Sequence, residues 1–164
     1  MRQLLPRAKA FTWSPYGDHI TYVDGDTLYT LSVAEGAEPQ PLFSHPDLWA
    51  LYARWSPDGS HIATMTTAFG ERDETGYPEI IDTYWLVDTT SGEATEIATR
   101  PGFAIEHVAE EISWSPTGRY LLVRNELFDV NGQTLLSDLP GRGFLAACCR
   151  SRQRRARSVV GERQ

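Results

Sequence analysis

The sequence predicts an all-β chain made of three consecutive four-stranded antiparallel units. Three observations lead there. The pentad Trp-Ser-Pro-x-Gly occurs three times, beginning at Trp13, Trp55 and Trp114. Each copy runs into a segment rich in β-branched and aromatic residues, "HITYV", "HIATM" and "RYLLV". Turn signals follow at short intervals, and no segment of helical period and useful length competes with them.

The pentad is a turn with a strand on each side. Pro15, Pro57 and Pro116 have φ preset for the second position of a β-turn, and Gly17, Gly59 and Gly118 supply positive φ. Ser14, Ser56 and Ser115 precede proline and are held extended. Trp and Ser therefore close strand A, and strand B opens just past the glycine. In the first unit "TYVDGDTLYTLSV" places Asp24-Gly25 at a hairpin, and "AEGAEPQPLF" turns into a fourth strand. "DTYWLVDTTSGEATEIAT" in the second unit and "LFDVNGQTLL" in the third read as strand, turn, strand. Trp13 and Trp55 are 42 residues apart, Trp55 and Trp114 59 apart. A period of about 40 to 45 is the length of one propeller blade, and an insertion accounts for the longer interval. The units span about residues 8–44, 48–99 and 106–139 of a body at 1–140.

These pentads, at these positions, resemble the WD-repeat-like propeller repeats of the TolB type, over roughly residues 8–140. Similar repeats form the propeller of prolyl-oligopeptidase-type serine peptidases. The resemblance implies a partial β-propeller of three four-stranded blades and says little of function, because such scaffolds host many activities. Closed propellers have four to eight blades. Three would leave two blade faces exposed, so self-association through those faces is expected.

The pattern stops after "LSDLPGRGF". Residues 141–164 carry seven basic and one acidic side chain, against eight basic and 21 acidic in residues 1–140. This Arg-rich tail reads as disordered or as the product of a shifted frame, and the chain as the N-terminal fragment of a longer propeller. The 14 arginines to one lysine fit GC-rich coding DNA. An acidic body repels phosphate, so nucleic acid is no expected partner except weakly through the tail. Cys148 and Cys149 are adjacent, which excludes a disulfide framework. Neither a signal-peptide core nor a membrane-length apolar run is present, and the chain as written is expected in the cytoplasm.

In a four-stranded meander the A–B and C–D turns share one end, and the B–C and D–A connections share the other. The pentad end reads as structural. The longer segments share the opposite face: Ser44 to Trp49, the insertion Ala68 to Ile80, and Arg100 to Glu111. Loops longer than a scaffold needs are often functional. The expected partner-binding surface is therefore Glu71, Arg72, Asp73, Glu74 and Tyr77 of the insertion, with Trp49, Phe103 and His107. The repeat residues Trp13, Pro15, Gly17, Trp55, Pro57, Gly59, Trp114, Pro116 and Gly118 are expected to be structural, the tryptophans as inter-blade packing.

No catalytic site is expected. The chain lacks a Gly-x-Ser-x-Gly elbow, and the body lacks cysteine. His19, His45, His61 and His107 are not spaced as metal ligands, so neither metal nor cofactor is expected. His19 and His61 hold one repeat position, while His45 and His107 fall on the candidate face. The function expected is a non-catalytic scaffold for a protein or peptide. The alternative is the accessory propeller of a prolyl-oligopeptidase-type peptidase whose catalytic domain is absent from this chain.

Overall fold

A computed structural model describes residues 8–48, 52–72, 76, 78–102 and 112–137. The described residues are all-β, in three four-stranded antiparallel meanders. Blade 1 comprises β1 (Lys9–Trp13), β2 (His19–Asp24), β3 (Thr27–Ser32) and β4 (Gln40–Ser44). Blade 2 comprises β5 (Ala53–Trp55), β6 (His61–Arg72), β7 (Pro78–Asp88) and β8 (Ala94–Pro101). Blade 3 comprises β9 (Ile112–Trp114), β10 (Tyr120–Val123), β11 (Glu126–Asp129) and β12 (Thr134–Leu136). Among the described residues no helix is long and apolar enough to cross a membrane.

The three pentads close identically. The glycine amide donates to the serine carbonyl, at 3.0 Å in blade 1, 2.9 Å in blade 2 and 3.0 Å in blade 3. The glycines have φ of 72°, 73° and 71°, where a side chain is disfavoured. The serine also works through its hydroxyl. Ser14, Ser56 and Ser115 Oγ accept the amides of His19, His61 and Tyr120 respectively, at 3.0, 2.9 and 3.0 Å. The serine hydroxyl oxygen thus satisfies the first strand-B amide in every copy.

The C–D turn lies beside the pentad, as a meander requires. Thr89 Oγ1 donates to the Gly59 carbonyl at 2.8 Å. In that turn Asp88 Oδ1 accepts the amides of Ser91 at 2.7 Å and Thr90 at 2.9 Å, which hold its carboxyl below the ordinary aspartate range.

The core lies between blades. Val23 and Leu28 of blade 1 bury with Ile62 and Val87 of blade 2, and Trp55 packs on this cluster. Ala63, Met65, Tyr84 and Leu86 of blade 2 bury with Leu121, Val123 and Phe128 of blade 3, and Trp114 packs there. Register explains the pattern. Trp13 pairs with Ile20, Trp55 with Ile62 and Trp114 with Leu121, so each pentad tryptophan shares a face with an apolar strand-B residue. That face meets the preceding blade. Trp55 and Trp114 pack on the clusters between blades, whereas Trp13 has no preceding blade among the described residues and is 59% exposed.

A second contact repeats across both interfaces. A Cβ placed on Gly59 would lie 3.2 Å from the Tyr16 ring, and one on Gly118 would lie 3.1 Å from Asp58 Cγ. Tyr16 and Asp58 are the variable residues of their pentads. Each variable residue therefore abuts the glycine of the following pentad.

Candidate functional site

The end opposite the pentads gathers the B–C turns and the D–A connections. The His45 amide donates to the Asp26 carbonyl at 3.0 Å, and the Thr67 amide to the Asp47 carbonyl at 2.9 Å. These bonds tie the connection after β4 to the turn of its own blade and to the next blade.

Blade 2 dominates this end. The insertion is expected as a loop, but its described flanks, residues 68–72 and 78–80, continue strands β6 and β7. Pairing runs from His61↔Asp88 through Phe69↔Ile80, with an irregularity before Arg72↔Pro78. Side chains are buried from Ile62 through Thr67, and exposure begins once the hairpin passes the level of its neighbours. Glu71 and Arg72 are thus strand residues, both exposed. Arg72 Nη1 donates to the Gly76 carbonyl at 2.6 Å across the tip. Gly70 lets the strands stay close, since a Cβ there would come within 3.3 Å of Glu79. Phe69, not foreseen as a surface residue, is 50% exposed. The remaining expected contact residues, Trp49, Asp73, Glu74, Tyr77, Phe103 and His107, lie outside the described residues, as do Cys148, Cys149 and the tail.

Two clusters the sequence reading missed stand at the roots of this face. The first joins blades 2 and 3. Asp82, 2% exposed, accepts from Thr67 Oγ1 at 2.9 Å and from Arg124 Nη2 at 3.0 Å. Arg124 Nε donates to the Tyr84 hydroxyl at 3.0 Å, and Nη1 to the Pro101 carbonyl at 2.8 Å. Gly102 passes so close that a Cβ would lie 2.9 Å from Asp82 Oδ2. Arg100 pairs with Glu126 alongside. Arg124 sits at φ 53°, in the two-residue turn between β10 and β11. The matching place in the β2–β3 turn is held by Gly25, at φ 64°. An arginine held where glycine is the easy choice is there for its side chain. The visible signal was Asp82 itself, a lone carboxylate in the apolar run "IIDTYWLV", which must be paired if buried.

The second cluster joins blades 1 and 2. The rings of Phe43 and His45 each lie 5.5 Å from Trp85, and the Asp47 amide donates to His45 Nδ1 at 3.1 Å. Trp85 Nε1 donates to Thr66 Oγ1 at 3.0 Å.

At the pentad end Ser60 Oγ lies 2.8 Å from both Asp58 Oδ1 and His61 Nδ1. Both contacts converge on the serine, so the carboxylate does not orient the imidazole as a hydrolase triad needs. Among the described residues no three His, Cys, Asp or Glu side chains could hold a metal ion. A cleft of about 210 Å³ opens at the same end between blades 1 and 2. Thr30 and Trp55 line it, and Thr30 Oγ1 and Trp55 Nε1 make no hydrogen bond there.

No family model and no curated protein matches the chain. Solved structures do. A eukaryotic initiation factor aligns with a TM-score of 0.52 at 14% identity, over 87% of this chain and 40% of that one. A putative 6-phosphogluconolactonase from Bacteroides fragilis aligns at 0.46 and 17%, over 81% and 39%. A putative TolB from Agrobacterium tumefaciens aligns at 0.30 and 16%, over 80% and 62%. The fold is of the β-propeller type. The chain spans about two fifths of the length of the first two. At these identities the likeness is one of fold.

Proposed function

We propose that this chain is a non-catalytic propeller-type scaffold that binds a protein or peptide on the end opposite its pentads. One observation carries the reading. Strands β6 and β7 are 12 and 11 residues long, against six for β2 and β3 and four for β10 and β11. On the β6 side of the surplus, Phe69, Gly70, Glu71 and Arg72 are all exposed. The surplus presents an aromatic ring, Phe69, among the charged Glu71 and Arg72, the mix that recognition surfaces favour. On its β5 side, β6 is paired only as far as Thr64 among the described residues. Beyond Thr67, whose amide bonds the Asp47 carbonyl, the ribbon is offered to an extended peptide. The acidic body favours a basic partner.

Replacing residues 70–78 by an Asn-Gly turn tests the reading. The circular dichroism and urea midpoint should stay near those of the parent chain, while partners captured by the parent are lost. If every captured partner still binds the shortened chain, the hairpin is not the binding element. The same preparation should show no peptidase activity.

A further inference from the structure

We propose that the seam between blades 1 and 2 is a joint, at which blade 1 swings away at its pentad end while blades 2 and 3 move as one body. The repeat builds two such seams from matching places, and the residues at those places differ in kind.

Register fixes the matches. Thr21 pairs with Thr30 in blade 1, and Ala63 pairs with Leu86 at the same step of blade 2. Ala63 and Leu86 are buried and apolar, and they pack toward blade 3. Thr21 and Thr30 stand on the same side of their strands as Val23 and Leu28, which meet blade 2. Neither threonine hydroxyl makes a hydrogen bond, although Thr21 is fully buried. Trp114 Nε1 finds the Arg54 carbonyl, whereas Trp55 Nε1, in the matching place, is buried without a partner. Thr12, the match of Arg54, ends an irregular stretch of β1. Each of the three unpartnered buried atoms costs free energy. The cleft of about 210 Å³ beside Thr30 and Trp55 forfeits packing that would offset the cost.

The ties across the seams differ as well. Blades 2 and 3 are joined by Arg124 on Asp82 and by Arg100 on Glu126. Gly25 takes the place of Arg124 in blade 1, and among the described residues no ion pair crosses the first seam. What does cross it is unevenly placed. Toward the end opposite the pentads, Val23 and Leu28 supply apolar contact, the Trp85 ring lies against Phe43 and His45, and the Thr67 amide holds the Asp47 carbonyl. At the pentad end the hydrogen bond across is an exposed one, from the Tyr16 hydroxyl to the Asp58 carbonyl at 3.3 Å. The first group is the hinge and the second the latch. The joint does not depend on the hairpin's role.

Single cysteines at matching places test it. Thr21→Cys reports the first seam and Ala63→Cys the second, by thiol labelling read with peptide mass spectrometry, which sets Cys148 and Cys149 apart. Thr21→Cys should label at least about tenfold faster, at a rate that low urea hardly changes, because a hinged opening exposes little surface. Ala63→Cys should label through global unfolding, at a rate that climbs with urea. Adding Thr30→Leu, which matches the second seam, should slow labelling of Thr21→Cys at least about tenfold with unchanged circular dichroism. Equal rates with equal urea dependence at the two places, or labelling that Thr30→Leu does not slow, would overturn the proposal.

Discussion

Ser56 shows how one side chain secures a repeat. It is fully buried, accepts the His61 amide through Oγ and donates to Asp58 at 2.6 Å. Ser56→Ala leaves that amide buried without its partner and should cost about 1–3 kcal/mol in urea unfolding. Ser115 makes the same bond from a half-buried position, where water can substitute, so Ser115→Ala should cost less. Equal losses at the two sites would mean that the hydroxyl bond is not what matters. The proline and glycine of each pentad were legible in the sequence because their effect is on their own backbone. The serine hydroxyl was legible only as far as its extended backbone, since its bond reaches five residues ahead. The contact from Tyr16 to Gly59 could not be read at all, because the two residues meet only after both blades have folded.

Among the elements, blade 2 carries both departures from expectation. The stretch "AFGERDETGYPEI" combines glycine, proline and charge, which spell a loop by composition. Its described flanks, residues 68–72 and 78–80, continue as strand because each strand of a ribbon satisfies the other's backbone. Asp82 and Arg124 are 42 residues apart and lie on different blades, so nothing local announces their pairing. Arg124→Gly would relieve a strained φ and yet leave the Asp82 carboxylate buried without its cation. The second effect should win, with a net loss of about 3 kcal/mol. Adding Asp82→Asn should restore part of it. A neutral or stabilising Arg124→Gly would show that the pair is not a staple between blades 2 and 3.

The whole molecule is a stack in which blades touch mainly their immediate neighbours. Stability in such an arrangement is a sum of blade and interface terms. The fold class followed from three turns and their spacing, whereas the direction of stacking needed coordinates. That direction is the central claim: each pentad tryptophan after the first is held by the blade before it. Hydrogen exchange of the assigned indole N–H groups tests it most directly. Trp114 Nε1 donates to the Arg54 carbonyl of blade 2 at 3.0 Å, and Trp55 Nε1 is buried between blades 1 and 2. Both should exchange far more slowly than a free indole. Exchange of both at the free rate would contradict the stack.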